Sequence, residues 1–166
     1  QFKQDINHYI DSYNSERWED VIDMMHDIAK GRKTRDDLIT DFIKGKMMGM
    51  QRNTEMLKIE KMSPIVTARG NHYCLVSYGA NAKIKLSGEL LEKKEFVKTN
   101  LELSYDTNDV IYNEATQTFE IKDAYQSMLA ISKVGSNMWG YIEIDKQKEP
   151  VLAQALGNQV WDKLTD

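Results

Sequence analysis

The sequence has little cysteine and histidine, and both shortages argue against a metal or redox site. The one cysteine, Cys74, lies in the apolar run HYCLVSY and cannot form an internal disulfide, so a buried apolar role is predicted for it. Asp23 and His26 lie at helical spacing and could place two ligands near one metal, but a carboxylate-bridged metal site needs a second matching element, and with three histidines in the chain none is predicted. The sequence therefore predicts no metal and no cofactor.

The chain also lacks a surplus of basic residues and a long apolar run. Its 22 lysine and arginine residues are outnumbered by 26 acidic ones, which gives a net charge of -4. No basic cluster is interleaved with aromatic residues, so nucleic acid is not expected as a partner. No segment approaches the ~18 apolar residues of a membrane span. The motifs of serine hydrolases, phosphate loops and dinucleotide sites are absent as well.

What the sequence does contain is a run of helical patterns that ends near Asn53. Apolar residues recur at helical spacing over residues 2–13, from Ser15 to Gly31, and from Thr34 to about residue 52. Three amphipathic helices are predicted, and in the third we expect residues such as Ile43 and Met47 to face inward.

After Asn53 the period changes to the two-residue alternation of strands, beginning with MLKIEKM. Further strands are predicted over residues 72–88, in FVKTNLELSY, in VIYNEATQTFEIKDAYQSMLAISK and in MWGYIEI. A closing helix is predicted over residues 151–164, with a break near Gly157. Helices followed by strands predict an α+β fold, with N-terminal helices packed on one face of a curved antiparallel sheet and a C-terminal helix. The length fits a single domain of residues 1–166.

Three stretches carry a resemblance to a known family: LKIEKMSPI, the hairpin from SMLAIS to WGYIEI, and the tail VLAQALGNQVWDKL. With the last strand MWGYIEID, the order of elements resembles the nuclear transport factor 2-like superfamily, a cystatin-like, cone-shaped α+β fold, and is similar to small exported proteins of that fold in Bacteroidota. The resemblance implies an exported protein, periplasmic or secreted, and the start at Gln1 fits that expectation. Residues 89–116 are longer and more charged than the pattern and are expected to be an insertion.

The resemblance leaves two kinds of function open, because such folds include isomerases, dehydratases and inert binding modules. The favoured hypothesis is a non-catalytic binding or interaction module whose apolar, cone-shaped cavity holds an apolar small molecule or a partner protein. The alternative is a cofactor-free proton-transfer enzyme that uses a buried carboxylate and a tyrosine, with Glu143 as the candidate carboxylate. The aromatic candidates for lining the cavity are Tyr13, Trp18, Tyr73, Trp139 and Tyr141.

The strand MWGYIEI carries large apolar side chains on both faces. Alternation places Trp139, Tyr141 and Glu143 on one face and the two isoleucines on the other. The strand is therefore predicted to be covered twice, once by the helical layer. The second cover is either the tail helix near Trp161 or a second subunit in a homodimer through the sheet.

Overall fold

The computed structural model describes all residues 1–166 and contains seven α-helices and six strands. The helices are α1 Phe2–Asn14, α2 Trp18–Met24, α3 Asp27–Lys30, α4 Arg35–Met47, α5 Lys94–Tyr105, α6 Glu149–Leu156 and α7 Asn158–Thr165. The strands are β1 Met50–Met62, β2 Val66–Ala68, β3 Asn71–Leu86, β4 Val110–Asn113, β5 Thr118–Lys133 and β6 Gly140–Ile144. None of the helices combines the length and the hydropathy needed to cross a bilayer.

The strands form one antiparallel sheet in the order β1-β3-β5-β4, with β2 also paired to β3 and β6 also paired to β5. The predicted α+β class with a curved antiparallel sheet is confirmed. Part of the curvature comes from a bulge in β5, where the three-residue step from Ile121 to Ala124 lies opposite the two-residue step from Ala80 to Ala82 in β3. Asp123 occupies the left-handed region there, with φ 51°. A bulge of this kind bends and twists its strand.

Helices cover both faces of the sheet. On the inner face, α1 and α2 pack on the first half of β3 through residues such as Ile6 and Val21. Helix α5 covers the second half of β3 on the same face, against Ile84 and Phe119. On the outer face, α6 and α7 pack on β5 and β6, with Leu164 fully buried. Both faces of β6 are thus covered, and the C-terminal helices supply the second cover.

Two helix predictions need correction. The predicted helix between Ser15 and Gly31 is broken, because Met25 is extended and forms an isolated parallel bridge with Tyr141. The backbone N–H of His26 donates to the Tyr141 carbonyl at 3.0 Å. In α4, Ile43 and Met47 are 38% and 81% exposed, so their predicted inward orientation was wrong.

The segment FVKTNLELSY was predicted to be a strand and is instead most of helix α5. Its buried residues are Val97, Leu101 and Tyr105, which lie four positions apart and form one helical face. The aromatic and β-branched residues of the segment favour a strand locally. Burial of that face against the sheet outweighs this propensity.

Candidate functional site

A charged pair lies on the inner face of the sheet, where apolar side chains would be expected. Arg52 of β1 donates from Nη1 to Oε1 of Glu143 at 2.9 Å and from Nη2 to Oε2 at 3.4 Å. The two side chains are 26% and 25% exposed. Arg52 Nε is shielded from solvent and has no hydrogen-bond partner. The pair is therefore mostly enclosed, and one of its donors is left unsatisfied.

The sheet must curve strongly for Arg52 and Glu143 to meet. Arg52 pairs with Ile84, which pairs with Phe119 of β5, whereas Glu143 pairs with Met128 of the same strand. These two positions on β5 are nine residues apart, which is roughly 30 Å along a straight strand. The bulged, bent strands bring the inner surfaces of the two halves of the sheet together. The ion pair thus joins two distant parts of the sheet.

Each charge of the pair stabilises the other. Burial favours the neutral form of Glu143, but the Arg52 guanidinium has the larger combined effect and lowers the pKa of the carboxyl below its ordinary value. Burial likewise opposes the charge on Arg52, and Glu143 with nearby phenols raises the pKa of the guanidinium nonetheless. Both groups are therefore charged at neutral pH.

Three tyrosines beside the pair are held in the neutral form. Burial, with the Glu143 charge as the second cause, raises the pKa of both Tyr9 and Tyr78. Burial also raises the pKa of Tyr105, although Arg52 acts in the opposite direction. These phenols can donate hydrogen bonds, but they do not ionise near neutral pH.

An aromatic cluster of Tyr13, Trp18 and Phe42 stands beside the ion pair. The rings of Trp18 and Phe42 are stacked with centroids 5.2 Å apart, and Tyr13 meets both edge-on. The Arg52 guanidinium lies 4.2 Å from the centroid of the Tyr13 ring, a cation–π contact. Asn14 fixes this arrangement, because its side chain accepts from the Thr54 N–H at 2.9 Å and donates to the Thr54 carbonyl at 2.7 Å. Helix α1 is thereby fastened to β1 next to the site.

A cavity of about 280 Å³ opens where α1, α4 and α5 meet the sheet. We call it the first cavity. The aromatic cluster, Tyr105 and Leu101 line it together with six charged residues. Towards Tyr9 and Tyr78 it narrows to a crevice of about 10 Å³. The inner end of this cavity is therefore filled by side chains, and its outer end is open.

A second cavity of about 440 Å³ lies along β6, between α3 and α6, and is mainly apolar. It shares Phe42 and Glu143 with the first cavity, together with Asp145 and Lys148. Met25, Ile28 and Val151 are among its apolar lining residues.

The structure brings some of the proposed lining residues together and separates others. Tyr13 and Trp18 line the first cavity together with Glu143. Tyr141 lines the second cavity, and its hydroxyl donates to Asp5 at 2.5 Å. Tyr73 packs with the outer-face cluster, against α6 and α7, and lines neither cavity. Trp139 is half-buried at the edge of the inner core, edge-on to Phe2 at 5.0 Å.

Arg52 is the functional candidate that the sequence reading missed. The helical pattern predicted to about residue 52 puts this arginine at a helix end, away from the sheet. The signal in the sequence was that Arg52, Thr54 and Met56 occupy every second position. In the structure these three residues of β1 are less exposed than their immediate neighbours. The partner of Arg52 lies 91 residues away and could not be read from this pattern.

No group of three or more histidine, cysteine or acidic side chains converges as a metal-binding cluster. No protein-family model matches the chain, and no curated protein matches it significantly. The resemblance to the nuclear transport factor 2-like superfamily therefore stays a prediction.

Proposed function

We propose that this domain is a non-catalytic module that binds a small amphipathic molecule in the first cavity. The observation that carries the proposal is the open cavity itself, which has an ion pair set into it and an aromatic cluster as one wall. Binding sites commonly combine aromatic walls with a few convergent polar groups. The lining is more polar than the apolar cone expected from the sequence, so the proposed ligand has polar groups as well as an apolar body.

The charge state of Glu143 favours binding over proton transfer. A general base that works near neutral pH needs a raised pKa, whereas Arg52 lowers the pKa of Glu143 below its ordinary value. The hydrogen bonds of its carboxylate go to Arg52, and none comes from a tyrosine. For these reasons we place the proton-transfer alternative second.

A fragment screen followed by ¹H–¹⁵N NMR tests the proposal, with two variants that each fill one cavity. Ser104 lines the first cavity on α5, and Ala155 lines the second on α6. We expect fragments to shift signals around Arg52 and Trp18. Ser104→Trp should abolish these shifts, and Ala155→Trp should leave them intact.

Two results would contradict the proposal. One is the absence of any fragment binding at millimolar concentration. The other is binding that survives Ser104→Trp and is lost in Ala155→Trp, which would move the site to the second cavity. Thermal unfolding of both variants should show that each remains folded, since each replacement adds a side chain at a cavity wall.

A further inference from the structure

The charged residues of the first cavity are completely paired with one another. Three are cationic and three are anionic, and each cation lies within salt-bridge distance of one of the anions. The distances are 2.5 Å for Lys46–Glu16, 2.9 Å for Arg52–Glu143 and 3.2 Å for Lys148–Asp145. The cavity therefore contains six charged side chains but carries no uncompensated charge.

We infer that the first cavity selects an uncharged ligand with a planar aromatic ring and discriminates against ligands that carry a net charge. The inference rests on the proposed function and names the class of ligand.

The pairing argues against a charged ligand of either sign. A cation would have to draw Glu16, Glu143 or Asp145 away from its partner, and an anion would have to do the same to a lysine or to Arg52. Separating the largely buried Arg52–Glu143 pair leaves an unpaired charge in a poorly hydrated place, which is strongly unfavourable. The Lys46–Glu16 and Lys148–Asp145 pairs are more exposed, and separating them costs less. An uncharged ligand can bind without breaking any of the three pairs.

The aromatic cluster argues for a planar ring. Trp18 and Phe42 are already stacked with an interplanar angle of 12°, and both line the cavity. Stacked or edge-on aromatic contacts add to the gain from burying apolar area. The volume of about 280 Å³ is near the lower end for ligand sites, which fits a one- or two-ring molecule.

Three indole compounds with matched side chains test the inference: tryptophol is neutral, indole-3-acetate is an anion and tryptamine is a cation at pH 7. Titrations would be followed by calorimetry and by ¹H–¹⁵N NMR. We expect tryptophol to bind at least about tenfold more tightly than either ion, a difference that corresponds to about 1.4 kcal/mol. Equal or tighter binding of an ion would overturn the inference.

Two variants of the Lys148–Asp145 pair, whose side chains are 53% and 29% exposed, test the cause of the selectivity. Asp145→Asn frees the Lys148 charge and keeps the side-chain oxygen that accepts from the Gln147 and Lys148 N–H groups. We expect it to improve binding of indole-3-acetate relative to tryptophol by about fivefold. Lys148→Gln frees the Asp145 charge and should improve binding of tryptamine by a similar factor. Unchanged ratios in both variants would show that pairing does not set the selectivity.

The outcomes separate this inference from the proposed function. If fragments bind in the first cavity and the tightest ones are charged, the binding function stands and the selectivity falls. If fragments bind there and none of the three indoles does, the requirement for an aromatic ring falls. If Ser104→Trp does not affect any bound fragment, the first cavity is not the site and both fall.

Discussion

At the residue scale, the site depends most on the ion pair between Arg52 and Glu143. Glu143→Gln leaves the Arg52 charge without its partner, so we expect a loss of about 3 kcal/mol in the free energy of unfolding, the lower end for a buried pair. The double variant Arg52→Met/Glu143→Leu should recover most of this loss, because it removes both charges. Urea unfolding of the single and double variants measures the coupling.

Lys58→Gln is the matched control, since Lys58 and Glu60 form an ion pair whose side chains are 69% and 34% exposed. We expect a change below about 0.5 kcal/mol for this control. A similar loss in Glu143→Gln and Lys58→Gln would contradict a special role for the enclosed pair.

The lowered pKa of Glu143 has a consequence for acid stability. Its ordinary value is 4.5, and the folded-state pKa is lower, so the unfolded chain binds a proton first as pH falls. The contribution of the pair is therefore complete above pH 4.5 and declines as the pH drops towards the folded-state value. We expect the stability difference between the wild type and Glu143→Gln to be largest near pH 6 and to shrink by pH 3. A difference that is constant across this range would contradict the assignment.

Only one residue of this ion pair, Glu143, was predicted from the sequence as a site residue. Glu143 stood out because strand alternation places it on the same face as Trp139 and Tyr141. Arg52 did not, because its role depends on a curvature that brings distant residues together. Of the aromatic candidates, Tyr13 and Trp18 reach the cavity because α1 and α2 border it, while Tyr73 faces the opposite side of the sheet. Alternation indicates that two faces exist, but it does not show which one borders a cavity.

At the scale of elements, the link between α2 and α3 docks closely on β6. A Cβ added to Gly140 would lie 2.9 Å from Cα of His26, which is closer than side chains approach backbone. Gly140→Ala should therefore push the link away from β6 and weaken the His26–Tyr141 hydrogen bond. We expect a loss of about 1–3 kcal/mol in urea unfolding, as for other overpacked sites.

Gly45→Ala is the matched control for this substitution. Gly45 lies inside α4, and an added Cβ would meet nothing within 4 Å. Because alanine is the better helix former, we expect this variant to gain about 0.5–1 kcal/mol. Destabilisation by Gly45→Ala, or tolerance of Gly140→Ala, would contradict this account of the packing.

Elements were predictable where local pattern and tertiary packing agree. Thr34 is the N-cap of helix α4, as predicted, and it forms a capping box with Asp37. The break between α6 and α7 falls at Gly157, where φ is 88°. Helix α5 was predicted as a strand because its buried face is stabilised by packing on the sheet, which local sequence propensity does not report. The break at Met25 was missed for a similar reason, because its cause is the bridge to Tyr141.

At the scale of the whole molecule, the order of helices and strands was enough to predict the α+β class. It was not enough to predict where the cavity opens, because the open end depends on where the sheet bends. The bulge at Asp123 sets part of that bend, and a single residue in a left-handed conformation has a weak signature in sequence. Export and dimer formation stay predictions.

The helical layers on the two faces share the strands β3 and β5, and we expect them to unfold together. Trp18 reports on the inner layer and Trp161 on the outer one, so single-tryptophan variants, in which Trp139 and one of these two are replaced, can follow each layer separately. In each variant, fluorescence and far-ultraviolet circular dichroism should give the same urea midpoint. Leu164→Ala, at a residue that is 1% exposed, should cost about 2–4 kcal/mol and lower the midpoint reported by either tryptophan. If Trp161 instead reported an earlier transition that Trp18 did not share, α6 and α7 would be a separately unfolding cover on the sheet.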